Sequence, residues 1–159
     1  MDTKMKRKIF AAAAVCMMGL PAASMAMDPA TLLSDPARYR PVYAEGDQTI
    51  YADVETLRSM QSRDFPGSIE NISVTLYVES YVADPDAMDF EEGHLVSSID
   101  EYSAVVHGNK REGVYTLQKK LTASYDGQGK ETDRSARGHH FEAEAEDMYY
   151  TLVRTAHLR

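Results

Sequence analysis

Cysteine occurs once in this chain of 159 residues, at Cys16. It lies inside an apolar, alanine-rich run from Ile9 to Leu20, behind the basic residues Lys4, Lys6, Arg7 and Lys8. Pro21 ends the run, and Ser24-Met25-Ala26 puts small residues at the −3 and −1 positions of a cleavage site. This three-part pattern is expected to be a secretory signal peptide, residues 1–26. A lipoprotein signal would place a small residue just before a Cys at the end of the run, so Cys16 is read as removed rather than lipidated. The mature chain then has no disulfide and no thiol chemistry. A long hydrophobic stretch is also missing, because Ile9 to Leu20 falls short of the ~20 residues that span a bilayer. Basic charge is scarce, with 17 Lys and Arg against 25 Asp and Glu. Cleavage would remove four bases and one acid, leaving 13 against 24, a net −11. So acidic a chain offers nucleic acid, heparin-like polymers or anionic membranes no electrostatic attraction.

The 133 residues that remain after position 26 (159 less 26) suffice for one domain with its own core. Residues 27–37, with two Asp-Pro pairs, read as an N-terminal arm containing a helical turn. Residues 38–159 read as a single α+β domain. "RYRPVYA" (38–44) and "TIYADV" (49–54) flank the turn "EGDQ" as a hairpin, and Pro41 predicts that its first strand is at an edge or bulged. "ETLRSMQS" (55–62) is expected to form one helical turn, and "RDFPGS" (63–68) a loop.

The clearest pattern is "IENISVTLYVESYVA" (69–83). Ile72, Val74, Leu76, Val78 and Val82 share one parity, while Asn71, Ser73, Thr75, Tyr77, Glu79 and Tyr81 share the other. Such alternation predicts a strand with one buried face; Tyr77, Glu79 and Tyr81 fall on the outward parity, which suits either a binding surface or cover by a loop or a neighbouring subunit. "HLVSSIDEYSAVVHG" (94–108) reads as a second long strand. "GVYTLQKKLTASYD" (113–126) reads as a third, with Tyr115, Leu117, Leu121, Ala123 and Tyr125 expected on one face. "DGQG" (126–129) is a tight turn, and residues 130–135 offer a further short strand. At the C-terminus, Ala145, Met148, Tyr149, Leu152 and Ala156 form a helical apolar stripe. Acids lie at its start and Arg154, His157 and Arg159 at its end, as the helix dipole favours. The fold class is therefore α+β: an antiparallel sheet of about five or six strands with a C-terminal amphipathic helix packed on one face.

No residue is nominated as catalytic, cofactor-binding or metal-ligating. His139, His140, Glu142 and Glu144 invite a metal reading, but adjacent histidines diverge on a helix or a strand, unlike the pair in H-E-x-x-H. The favoured reading is an acid-rich helix start. His94 and His107 would join them only if the fold brought them together. The acidic stretch Asp84, Asp86, Asp89, Glu91 and Glu92 is read as a solvated loop rather than a weak Ca²⁺ site. "SYDGQGKE" (124–131) fits neither an EF-hand nor a P-loop spacing. No G-x-S-x-G elbow is present.

Three segments carry a resemblance: "VYAEGDQTIYADVETL" (42–57), "NISVTLYVESY" (71–81) and "LVSSIDEYSAVVHGNKREGVYTLQKKLTASYDGQGK" (95–130). They include a Tyr-x-Asp-x-x-(Ser/Thr)-(Ile/Leu) segment, here Tyr51, Asp53, Thr56 and Leu57, and a Y-D-x-x-G turn, here Tyr125, Asp126 and Gly129. In element order, residues 38–157 resemble the surface-adhesin protein E-like domain of secreted bacterial proteins. The resemblance implies a sheet with a helix on one face, an envelope or secreted location, and a non-enzymatic, adhesin-like role. In that family the best-known role is adhesion to host matrix and plasma proteins. The chain departs from the family in lacking a mature N-terminal Cys, paired cysteines and tryptophan. No catalytic or ligand-binding residue is carried over. The expectation is a secreted or periplasmic binding protein with no cofactor, acting on an envelope or host protein. No nucleic acid and no stable membrane insertion after cleavage are expected, and the chain would be a monomer or dimer. Two alternatives stand beside it: a metal-binding periplasmic protein or small metal-dependent enzyme, and a self-associating structural envelope component.

Overall fold

A computed structural model describes residues 27–88, 93–133 and 143–157. The alternating stretch at 69–83 forms the middle strand of one antiparallel sheet. Its five strands are β1 (Tyr39–Glu45), β2 (Gln48–Gln61), β3 (Ile69–Ala83), β4 (His94–Asn109) and β5 (Val114–Asp126), and they lie side by side in chain order. Helix α1 (Pro29–Ser34) precedes the sheet and α2 (Ala145–His157) follows it. Gly46, at φ 49°, takes the first place in the two-residue loop between Glu45 and Gln48, where a II′-type hairpin turn calls for glycine. Pro41 sits on the edge strand next to a bulge at Val42, so it withholds no donor from a central ladder.

The sheet has a core on each face. On the first, Ile72, Val74, Leu76 and Val78 of β3 pack with Tyr102, Ala104 and Val106 of β4 against Met148, Tyr149 and Leu152 of α2. The helix stripe thus covers the sheet as its spacing predicts, and the α+β architecture is the one expected. Tyr149 lies directly over Gly108, where an added Cβ would come 2.5 Å from the ring. Only a residue without a side chain lets the helix approach that closely.

On the opposite face Tyr77 and Glu79 are buried, so this parity is covered rather than left open as a binding surface. Met27 and Leu32, from the arm, form a second core there with Tyr39, Tyr51, Tyr77, Ile99, Ala123 and Tyr125. Asp28 caps α1 by accepting from Thr31 N at 2.7 Å, which holds the short helix in place.

Two irregularities the periodicity does not reveal redistribute the side chains. In β5 an extra residue at Thr122 breaks the register, so Tyr115, Leu117 and Leu121 pack on the α2 side while Ala123 and Tyr125 pack on the other. The five do not share one face, because a bulge inverts the alternation beyond it. In β2 the segment expected as a helical turn continues the strand. Four residues, 54–57, stand opposite the single residue Val74, and pairing resumes at Arg58 and Ser73. After β5, Tyr125 and Glu131 make an isolated bridge, and the described residues 130–133 form no further strand; 134 and 135 lie outside the described residues.

Candidate functional site

The wide bulge in β2 is built by its polar side chains. Thr56 donates its hydroxyl to Asp53 O at 2.8 Å and accepts Thr75 N at 2.8 Å, which supplies the ladder bond that the missing register would have made. Asp53, only 1% exposed, accepts Glu55 N at 3.1 Å and takes Arg38 Nε and Nη2 at 3.0 and 2.8 Å. This two-pronged pair fastens the end of the arm to the sheet. It raises the affinity of Arg38 for its proton, chiefly through the bond to Asp53. Tyr51 and Leu57 each fill a core, on opposite faces. The four residues of the Tyr-x-Asp-x-x-Thr-Leu segment are thus accounted for by the bulge.

The bulge returns the chain to the sheet with Arg58 and Met60 on the face that carries the second core, but outside that core. There the antiparallel register lines up two rows across β2, β3, β4 and β5. One is Arg58, Ser73, Val105 and Gln118, and the other is Met60, Asn71, His107 and Thr116. These eight side chains line a hollow of about 590 Å³. Met60 is 69% exposed and Val105 38%. His107 Nδ1 lies 2.7 Å from Asn71 Oδ1, which fixes the ring against its neighbour in the row. Arg58 Nη1 donates to Glu55 O at 2.9 Å and Leu57 O at 2.8 Å, so its guanidinium is steadied by the bulge. Arg58 also borders an adjoining hollow of about 530 Å³ near Arg38 and Arg40. The floor contains one arginine, one histidine and no carboxylate, in a chain with 25 acids.

A second polar cluster lies at the far end of β3. Glu79, 6% exposed, accepts Tyr81 Oη at 2.6 Å, and Tyr81 Oη also sits 2.8 Å from Thr49 Oγ1. The second carboxylate oxygen of Glu79 is buried with no hydrogen-bond partner among the described residues. Burial pushes the Glu79 carboxyl above its ordinary range. Tyr81 in turn stacks edge-on against His94, centroids 4.5 Å apart. On the α2 side, Tyr149 Oη donates to buried Glu70 Oε2 at 2.8 Å, and Ser59 Oγ donates to the other oxygen. Burial, with the bond to Glu70, holds the Tyr149 phenol well above its ordinary value.

The metal candidates separate. His139, His140 and Glu142 lie outside the described residues, as do Asp89, Glu91 and Glu92. Glu144 is described, and no group of three His, Cys, Asp or Glu suited to a metal occurs among the described residues. His94 opens β4 and His107 stands near its end; thirteen residues of strand separate them by ~40 Å. Asp84 spends an oxygen on Asp86 N at 2.9 Å. In the Y-D-x-x-G turn, Asp126 Oδ1 accepts Gln128 N at 3.0 Å and Lys130 N at 2.9 Å. Those amides are satisfied by the loop's own carboxylate, as a turn requires and a phosphate cradle does not.

Sequence reading located Asn71 and Ser73 as outward residues of β3, but not the other six residues of the floor. Those depend on the pairing of four strands and on the bulge that aims Arg58, neither of which leaves a local mark. No described helix is long and apolar enough to cross a membrane. No family model, no curated protein and no solved structure matches the chain.

Proposed function

We propose that this is a non-enzymatic binding protein of the bacterial envelope, secreted or periplasmic and adhesin-like, whose ligand lies on the half of the sheet that the described residues leave uncovered. The observation that carries the reading is the two-row floor itself. The arm seals one half of that face with a tyrosine-rich core, while the other half presents a hollow free of carboxylates. A face left merely to water in so acidic a chain has no need to collect its side chains this way. The secretory pattern of residues 1–26 and the resemblance to the surface-adhesin protein E-like domain support the location and the role.

Two experiments test it. Protease shaving of intact cells removes the domain if it is displayed outside, and spares it until the envelope is opened if it is periplasmic; detection only in the cytosol refutes the location. Val105→Glu adds an acid to the exposed floor without entering either core. Envelope or host material retained by the wild-type protein is expected to be lost by the variant, and equal retention refutes the site. Robust hydrolase activity of the purified protein would overturn the non-enzymatic reading.

A further inference from the structure

We propose that the floor takes a short peptide segment, about four residues long, with a carboxylate seated at Arg58. This rests on the binding reading above and adds the chemistry of the ligand. Charge comes first. The two protein bonds of Arg58 both leave from Nη1 and both end on neutral backbone carbonyls. Among the described residues no carboxylate forms an ion pair with it; the neighbouring acids Asp53 and Glu55 pair with Arg38 instead. Nε and Nη2, the side of the guanidinium fork that grips a carboxylate, remain for a ligand. No acid lines the floor itself; Asp35 and Glu55 border Arg58 in the adjoining hollow, where Arg38 and Arg40 offset them and Glu55 pairs with Arg38 at 3.3 Å.

Polarity selects the body of the ligand. Ser73 and Gln118 flank the apolar Val105 in one row, and Asn71 and Thr116 flank His107 in the other, with the apolar Met60 at that row's end. A purely apolar chain laid across them would bury those groups unpaired. A neutral sugar would leave Arg58 without its anion. A peptide backbone answers the amides and hydroxyls, an apolar side chain answers Val105 and the adaptable Met60, and a carboxylate answers Arg58. Dimensions agree. Four strands about 4.8 Å apart make the floor roughly 14 Å across, and four extended residues reach about the same distance.

The test is an amide NMR titration of the purified protein with N-acetyl-Ala-Ala-Leu-Ala bearing a free carboxylate, and with the same peptide as its C-terminal amide. The expected result is that shifts gather at Arg58, Ser73, Asn71 and Val105, with the amide form bound about tenfold more weakly. Arg58→Gln is expected to bring the free acid down to the level of the amide and to leave the amide unchanged. Ser73→Asp, which sets an acid beside Arg58 at an exposed position, is expected to do the same with the bulge intact. Equal affinity of both peptides at the floor overturns the carboxylate seat and leaves the binding reading standing. Floor shifts with a fatty acid or an oligosaccharide, but with neither peptide, overturn the peptide class alone. Silence of the floor toward every probe overturns both.

Discussion

Replacing Asp53 by alanine removes three hydrogen bonds at once: two from the Arg38 guanidinium and one from Glu55 N. Asp53 is fully buried, whereas the Arg38 side chain is 37% exposed, so solvent can recover much of the arginine's loss. A charge-assisted bond contributes about 1.5–3 kcal/mol, and the discounted total for Asp53→Ala is about 2–4 kcal/mol, a large share of the stability of a small domain. Arg38→Met should cost a similar amount for a different reason, since it strands a buried carboxylate. The two losses should not add: a double-mutant cycle should return a coupling of about 1 kcal/mol or more. The assay is urea unfolding followed by tyrosine fluorescence and far-UV circular dichroism, since the chain has no tryptophan. Hydrogen exchange at the Thr75 amide should also quicken in Asp53→Ala, because Glu55 N, beside Thr56 in the bulge, loses its acceptor. A change below ~0.5 kcal/mol, or strict additivity with Arg38→Met, would refute the view that this pair holds the arm and the bulge.

The remaining predictions concern the two cores. Tyr149→Phe leaves Glu70 Oε2 buried without its phenol donor and should cost about 1–3 kcal/mol in the same unfolding assay. Gly108→Val drives a side chain into the Tyr149 ring and should lower Tm by several degrees, corresponding to about 1–3 kcal/mol of overpacking. Glu79 tests the pH dependence. Its folded carboxyl holds its proton more tightly than an unfolded one, so its contribution is present below the unfolded pKa, about 4.3, and is lost as pH rises through the raised folded value. Glu79→Gln should therefore gain stability relative to wild type as pH rises from 4 toward 7, and a constant difference across that range would show that the carboxyl does not titrate as described.

What the residues disclosed follows from the range of each signal. The alternation of Ile72 to Val78 and the stripe Met148, Tyr149 and Leu152 are local periodicities, and each marks a face that the fold buries. Pro41 likewise revealed an edge and a bulge through its missing donor. Residues 55–62, expected as a helical turn, instead continue the strand through a bulge that sends Leu57 into one core and leaves Met60 exposed on the opposite face. Thr122 splits the apolar residues of β5 between two faces for the same reason. Polar parity made Tyr77 and Glu79 look outward, but the arm brings Met27 and Leu32 across them from more than forty residues away. The floor was the least legible part, since its rows exist only once four strands are in register.

The most direct measurement is the map of amide shifts produced by the free-acid tetrapeptide. The account predicts perturbations along both rows, from Arg58 and Met60 across to Thr116 and Gln118, fading toward the arm and absent from the outer face of α2. Perturbations centred instead on the half-buried Tyr115 and the exposed Tyr150, or spread without focus over the surface, would contradict the claim that the half of the sheet left open by the described residues is where this protein binds.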